Sequence, residues 1–386
     1  MIKTNSPLIY IVTGEASGDL LGSRLMKALK KLCPDIRFEG VGGTLMCQEG
    51  LRTLFPAQDL SVMGLLEILP HLAKLSKRLH QTEKDILKKE PDLVLTIDSP
   101  GFNFRLARLL KKDLHIPLFH YTAPSVWAWK PGRARKISKL YDHLFALFKF
   151  EPPYFEKENL PCTFIGHPLI EEKLPQISPN TFRRLKGVPQ EAPLLCLLPG
   201  SRQGEVTHLL PYFANSVFLL QKNLPDLTLV CPTLPAFKKD IETVFQGRIP
   251  LLFTNDKQEK YLAMAASNAA LAASGTVSLE LALTKTPMVI GYRLNPLTYF
   301  IIKKLVKAPY ACLVNILLKE KAVPEYLQNQ CTPENLYNAL LPLLQNPLEN
   351  QIRQRLDEIP LLLKNELGDP SYLAAKTILG YIQKPL

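Results

Sequence analysis

The chain has 386 residues, 46% of them hydrophobic and 21% charged, with a formal net charge of +12. This mixture excludes a disordered chain, and the length favours two domains over a single core. The charge calls for an acidic partner, which could be nucleic acid, an anionic membrane surface or a phosphorylated small molecule. No Arg/Lys block is interleaved with aromatics, so nucleic acid is not expected. Seven cysteines lie scattered without a C-x-x-C pair, as suits reduced thiols in a cytosolic protein and no metal site. No apolar run reaches 18 residues, so any membrane contact is expected to be peripheral.

Residues 8–12 form an apolar run that predicts a strand covered on both faces, and Leu21, Leu25, Ala28 and Leu29 recur at helical spacing after it. Between them stands Gly14-Glu15-Ala16-Ser17-Gly18-Asp19. Gly14 and Gly18 permit close backbone approach, Ser17 and Asp19 could cap the helix, and Glu15 is left as a candidate ligand group. Strand-like runs follow in "RFEGVGG", "DLVLTID", "IPLFHYTA" and "HLFALF", the rhythm of a parallel sheet. The Pro- and charge-rich stretch 151–179 reads as a linker, after which "LLCLLPGSR", "LTLVCPT", "IPLLFT", "AALAASG" and "PMVIGYR" start a second rhythm. The expected architecture is α/β, with two doubly wound parallel-sheet domains facing a central cleft. The domains are drawn at 1–165 and 166–365, with a helical tail over 366–386 that could pack on the first domain.

Several stretches could carry chemistry. In "LLPGSRQGEV", Ser201 and Arg202 sit where a buried strand turns into a helix, and a guanidinium fork suits phosphate oxygens. The same place could be a capped turn with a solvated Arg. "AASGTVSLELAL" repeats the geometry: Ser274, Gly275 and Thr276 turn the chain to bind a diphosphate, while Glu280 one turn on can hold a ribose. No G-x-G-x-x-G follows the first strand, and no Walker sequence or D-x-D pair occurs, so helix ends and Arg would have to neutralise a leaving diphosphate without metal. In "VLTIDSPGFNFRLA", Asp98 stands at the carboxyl end of a buried strand, where it either faces a ligand crevice or caps the next turn. "YTAPSVWAWKPGRARKI" groups Ser125 and both tryptophans, Trp127 and Trp129, with Lys130 and Arg133, like a platform beside a phosphate clamp. Over 60–80, Leu65, Leu66, Leu69, Leu72 and Leu75 alternate with His71, Lys74, Lys77 and Arg78. That pattern fits an ordinary amphipathic helix or one lying in lipid headgroups.

Taken together, "GEASGD", "GVGG", "LSVMGLLEIL", "SVWAWK", "IGHPL", "LPGSR", "ASGTVSLE" and "PMVIGYR" stand in the order of the lipid-A-disaccharide synthases, and the resemblance runs from about residue 8 to 330. It implies a GT-B glycosyltransferase that joins UDP-2,3-diacylglucosamine to 2,3-diacylglucosamine 1-phosphate through a β-1,6 link and releases UDP. It implies no metal or other cofactor, and a cytoplasmic enzyme peripheral at the inner membrane, whether or not it forms a homodimer. Asp98 is then the first candidate for the base and Glu15 the second. Ser201, Arg202, Ser274, Gly275, Thr276 and Glu280 would bind UDP. Gly14, Ser17, Gly18, Ser125, Trp127, Lys130, Arg133 and Asn315 would line the acceptor side. Two departures stand out: Gly101 replaces the family's second Asp in "DSPGFN", and "CLVNILL" only loosely matches the segment that carries Asn315. A UDP-sugar 2-epimerase of the same architecture would need no amphipathic stretch at 60–80. A non-enzymatic membrane- or nucleic-acid-binding protein would leave the diphosphate turns unexplained.

Overall fold

The computed structural model describes residues 6–60, 72–113, 116–128, 132–172, 174, 178–294, 299, 308–346 and 351–383. The chain divides into two compact units, residues 1–171 with 363–386, and residues 172–362. The first unit holds strands β1 (Leu8–Thr13), β2 (Arg37–Val41), β3 (Arg52–Thr53), β4 (Leu93–Ile97), β5 (Leu118–Tyr121), β6 (His143–Ala146) and β7 (Cys162–Phe164). They form one sheet in the order β3-β2-β1-β4-β5-β6-β7, with every pair parallel. Parallel neighbours need crossovers, here made by α1 (Ala16–Leu32), α2 (Thr44–Gln48), α3 (Leu72–Lys89), α4 (Pro100–Asp113), α5 (Arg133–Ile137) and α6 (Pro152–Glu156).

The second unit repeats the plan with β8 (Leu194–Leu198), β9 (Thr228–Cys231), β10 (Leu251–Phe253), β11 (Ala269–Ala273), β12 (Met288–Tyr292) and β13 (Glu325–Leu327). Their order is β10-β9-β8-β11-β12-β13, again all parallel. Its helices are α7 (Pro179–Leu185), α8 (Gln203–Asn223), α9 (Pro235–Phe245), α10 (Lys257–Ala266), α11 (Val277–Leu283), α12 (Leu313–Leu318), α13 (Pro333–Gln345), α14 (Gln351–Leu356) and α15 (Ile359–Leu363), the last crossing the boundary. A final helix, α16 (Pro370–Ile382), returns to the first unit, where Leu373, Ala374 and Ile378 share a buried cluster with Leu25, Met26 and Leu29 of α1.

The central strands β1, β4, β8 and β11 are buried along their whole length, which explains their unbroken apolar runs. Each face of the first sheet has its own core. One gathers Leu106 and Leu110 of α4, Ala134 and Ile137 of α5 and Phe155; the other gathers α1 and α16.

The linker expectation over 151–179 is corrected. Glu151, Pro152 and Phe155 are buried, and β7 adds an edge strand to the first sheet from within that stretch. Pro152 and Pro153 open α6 at positions that need no N–H donor, so they start a helix rather than loosen the chain. The units therefore divide after Glu171 and before Leu363, rather than after residues 165 and 365.

The cap expected from Ser17 and Asp19 is also corrected, because neither side chain caps α1. Asp19 is buried and accepts backbone hydrogen bonds from Gly43 (2.9 Å), Leu45 (3.0 Å) and Met46 (3.0 Å), which pins α1 to the start of α2. A Cβ at Gly43 would stand 2.4 Å from the Asp19 carboxylate, so the last glycine of "GVGG" serves this contact. Replacing Asp19 with Ala would leave buried donors unpaired. At about 1–3 kcal/mol each, the urea midpoint of unfolding should fall by several kcal/mol equivalent, and Asp19→Asn should fall less. An unchanged midpoint in Asp19→Ala would show that α1 and α2 are held by packing alone.

Candidate functional site

In each sheet the strand order reverses at one place, between β1 and β4 in the first unit and between β8 and β11 in the second. Chain leaving two neighbouring strands there departs in opposite directions, which opens a crevice at their carboxyl ends. The loops 14–15 and 98–99 follow β1 and β4, and the loops 199–202 and 274–276 follow β8 and β11. Gly14, Glu15, Asp98, Ser201, Arg202 and Ser274–Thr276 thus fall at the switch points of the two sheets.

In the first unit, Asp98 and Ser99 both adopt left-handed backbone, with φ of 49° and 44°. Such a pair is held only when its surroundings impose it. The Asp98 N–H donates to Tyr121 O (2.8 Å), and the buried Asn103 donates its amide to Ile97 O (3.1 Å) and Asp98 O (2.8 Å). The bend turns the Asp98 carboxylate toward two hydroxyls: Thr122 donates to Oδ1 (2.9 Å) and Ser17 to Oδ2 (3.0 Å). Burial pushes this carboxyl above its ordinary value, and the Thr122 and Ser17 hydroxyls pull it partly back. Ser99 Oγ lies 3.4 Å from Glu15 Oε1, which places Glu15 at the same end of the sheet.

Other residues assigned to the acceptor side have different work. A Cβ at Gly14 would meet Leu60 Cβ at 2.6 Å, and one at Gly18 would meet Thr13 Oγ1 at 2.0 Å. Both glycines admit the protein's own side chains, Gly18 seating α1 on the sheet. Trp127 donates its Nε1–H to Glu151 (3.1 Å) and meets Phe150 edge-on, so its ring is braced rather than presented as an open platform. Glu151 also accepts from the backbone of Leu147 and Phe148, and burial pushes its carboxyl up to about 7. Ser125 is exposed, whereas Arg133 is half-buried beside a groove of about 300 Å³ shared with Phe104, Arg108 and Lys136. Asn315 belongs to the second unit, fully buried, where it exchanges two 2.8 Å hydrogen bonds with the backbone of Val323. That pairing braces a turn and corrects the expectation that its side chain lines the acceptor side.

Leu65, Leu66 and Leu69 lie outside the described residues, as do Trp129, Lys130 and the side chain of Leu72. Leu75 is half-buried and packs with Leu79 on the core of the first unit. The cationic face expected beside them is partly neutralised: Asp59 pairs with Lys74 (2.6 Å) and Arg78 (2.6 Å), while Lys77 stays exposed. Hydrogen bonds from Lys74 and Arg78 hold the Asp59 carboxyl below its ordinary value. Among the described residues, no helix is long and apolar enough to cross a membrane.

In the second unit, the switch point opens into a cavity of about 710 Å³ lined by Ser201, Arg202, Ser274, Gly275, Thr276 and Glu280. Gly200 (φ 130°) and Gly275 (φ 156°) make turns that other residues rarely adopt. Arg202 is 65% exposed and 3.7 Å from Glu205, whose carboxylate also accepts from the Ser201 N–H at 3.1 Å. Thr276 stands at the head of α11 without a side-chain cap bond, and Ser274 Oγ donates to Ala311 O at 2.8 Å. Glu280 is not a solvated carboxylate, since Lys260 pairs with it at 2.7 Å. The cavity also takes in Thr233, Asn255, Lys257 and Lys260, none of which a strand-to-helix motif would have marked.

A family model described as lipid-A-disaccharide synthetase matches residues 9–369. Among curated relatives, the lipid-A-disaccharide synthase of Rhodospirillum centenum is 46% identical over 98% of this chain and 95% of its own length. That of Pseudomonas putida strain GB-1 is 40% identical over 97% of this chain and 98% of its own. Among solved structures, a UDP co-structure of MnaA from S. aureus aligns with a TM-score of 0.62 at 15% identity, covering 98% of this chain and 96% of that one. The glycotransferase of kitacinnamycin aligns at 0.63 and 14%, covering 98% and 100%. The UDP-GlcNAc 2-epimerase of Neisseria meningitidis aligns at 0.62 and 13%, also covering 98% and 100%. Identities this low carry the fold alone, and the epimerase alternative gains nothing more from them. The two parallel α/β units are those of the GT-B architecture, and the near-complete sequence match decides the rest: the chain belongs to the lipid-A-disaccharide synthase family of UDP-dependent glycosyltransferases.

Proposed function

We propose that this enzyme transfers the diacylglucosaminyl group of UDP-2,3-diacylglucosamine to 2,3-diacylglucosamine 1-phosphate with inversion, forming the β-1,6 disaccharide and releasing UDP. What supports the division of labour is the pair of switch points. One ends in a carboxylate held by two hydroxyls; the other opens a polar cavity with Arg202 at its rim. The donor's diphosphate would lie against the turns at Ser201 and Ser274–Thr276, with Arg202 closing on it and Glu280 accepting from the ribose. Charge that develops on the departing phosphate would meet backbone N–H groups and a guanidinium already in place.

Asp98 would take the proton from the attacking acceptor hydroxyl, with Glu15 beside it to bind sugar hydroxyls. A base must be ionised to work, and the hydroxyls of Ser17 and Thr122 favour that form. We further propose that the enzyme works at the cytoplasmic face of the inner membrane, because neither acylated substrate leaves a bilayer readily. Leu65, Leu66, Leu69 and Leu72 would enter the anionic surface.

Three measurements test these assignments. Calorimetric titration of UDP should show Arg202→Ala weaker by about 10- to 100-fold, as expected for charge-assisted hydrogen bonds worth about 1.5–3 kcal/mol. Unchanged affinity would remove Arg202 from the site.

Asp98→Asn should lower turnover by about 100-fold or more while UDP still binds. Thr122→Val removes a donor that pulls the Asp98 carboxyl down. The acid limb of kcat/KM should therefore move to higher pH, with activity recovering once Asp98 ionises. A limb that stays in place, or near wild-type turnover in Asp98→Asn, would pass the base role to Glu15.

For the membrane, Leu69→Ser with Leu72→Ser should weaken sedimentation with vesicles containing anionic phospholipid and leave the melting temperature unchanged. Lost melting temperature with retained vesicle binding would return the segment to the core.

A further inference from the structure

Lys260 lies in the first turn of α10 and lines the same cavity as Arg202 and Ser274–Thr276, yet its geometry differs from that of Arg202. Its Nζ stands 2.7 Å from both carboxylate oxygens of Glu280, and the Tyr261 hydroxyl approaches Oε1 at 3.4 Å. The Lys260 side chain is 27% exposed against 65% for Arg202, so the first is held within the cavity wall and the second reaches into solvent. The turn that presents Lys260 is itself fixed: Asp256 Oδ1 accepts from the Glu259 N–H (2.8 Å), and Glu259 Oε2 accepts from the Asn255 N–H (2.5 Å). Asp256 thus caps the helix, and Glu259 ties down the residue just before the cap.

A carboxylate that is to hold a ribose beside a diphosphate faces a conflict. It must be ionised and oriented to accept from sugar hydroxyls, but its charge repels the phosphates that arrive with the sugar. A carboxylate offers about four acceptor positions, so a lysine engaging both oxygens still leaves lone pairs for two hydroxyls. We propose that Lys260 is a positioning residue of the nucleotide site, holding Glu280 toward the ribose and cancelling its charge where the diphosphate enters. This rests on the nucleotide reading of the second unit given above.

The test compares calorimetric titrations of UDP and of uridine on the full chain. Lys260→Met should weaken UDP by about 10- to 100-fold, the range for a lost charge-assisted contact, and uridine by clearly less. Adding Glu280→Gln to Lys260→Met should recover part of the UDP loss, because the uncancelled charge is then gone. Lys260→Arg should retain most of the affinity, and in turnover assays Lys260→Met should raise the donor KM more than it lowers kcat. The double variant leaves no unpaired charge, so it keeps the test open if Lys260→Met folds poorly. Equal losses for UDP and uridine, no loss at all, or a further loss on adding Glu280→Gln would each overturn the proposal. Failure of the wild-type chain to bind UDP would instead overturn the nucleotide reading itself.

Discussion

Everything in this molecule that resembles a site depends on where a parallel sheet reverses its strand order. Parallel pairing forces each strand to be followed by a crossover, and neighbours whose crossovers leave in opposite directions cannot close over their own carboxyl ends. β1 beside β4 and β8 beside β11 are those neighbours. The crevices are consequences of topology, and the residues placed there are what make the two units chemically different. One crevice carries carboxylates and hydroxyls, the other glycine turns and cations.

The first unit shows how carboxylates with similar sequence signatures come to do unlike things. Asp19 is surrounded by backbone N–H groups of a neighbouring loop and becomes a clasp. Glu151 is enclosed by two backbone N–H groups and an indole, with burial raising its proton affinity. Asp98 meets only side-chain hydroxyls and stays half-buried at the end of the sheet. Hydroxyls are acceptors as well as donors, so Ser17 and Thr122 could re-form their bonds as Asp98 changes protonation state. Amide donors could not follow such a change. That freedom supports the proposal of Asp98, rather than the other two, as the base.

The parts of this arrangement legible in the sequence were those written in local pattern. Fully apolar runs such as Leu194–Leu198 announce central parallel strands, and the small-residue turn after each announces a switch-point loop. The edge strands of the first sheet were not legible: β3 has two residues and β7 three, and neither stands in an apolar run like the "IPLLFT" that announces the equally short β10. Prolines 152 and 153 read as linker because composition does not distinguish a proline at a helix start from one in a loop. The roles of Asp19, Asn103 and Lys260 were hidden for a different reason. Their partners lie at Gly43 and Met46, at the bend at Asp98, and at Glu280, and such pairings exist only once the chain has folded.

The return of α16 to the first unit has a consequence for the order in which the protein can be built. Residues 172–362 are continuous in the chain, so the second unit has all its strands once that stretch leaves the ribosome. The first unit, although its strands are made earlier, lacks Leu373, Ala374 and Ile378, which complete the core over α1. Domains ordinarily fold from the N-terminus onward during synthesis. Here the earlier-made unit keeps part of one apolar face uncovered until α16, made after the whole of the second unit, covers the sheet over α1.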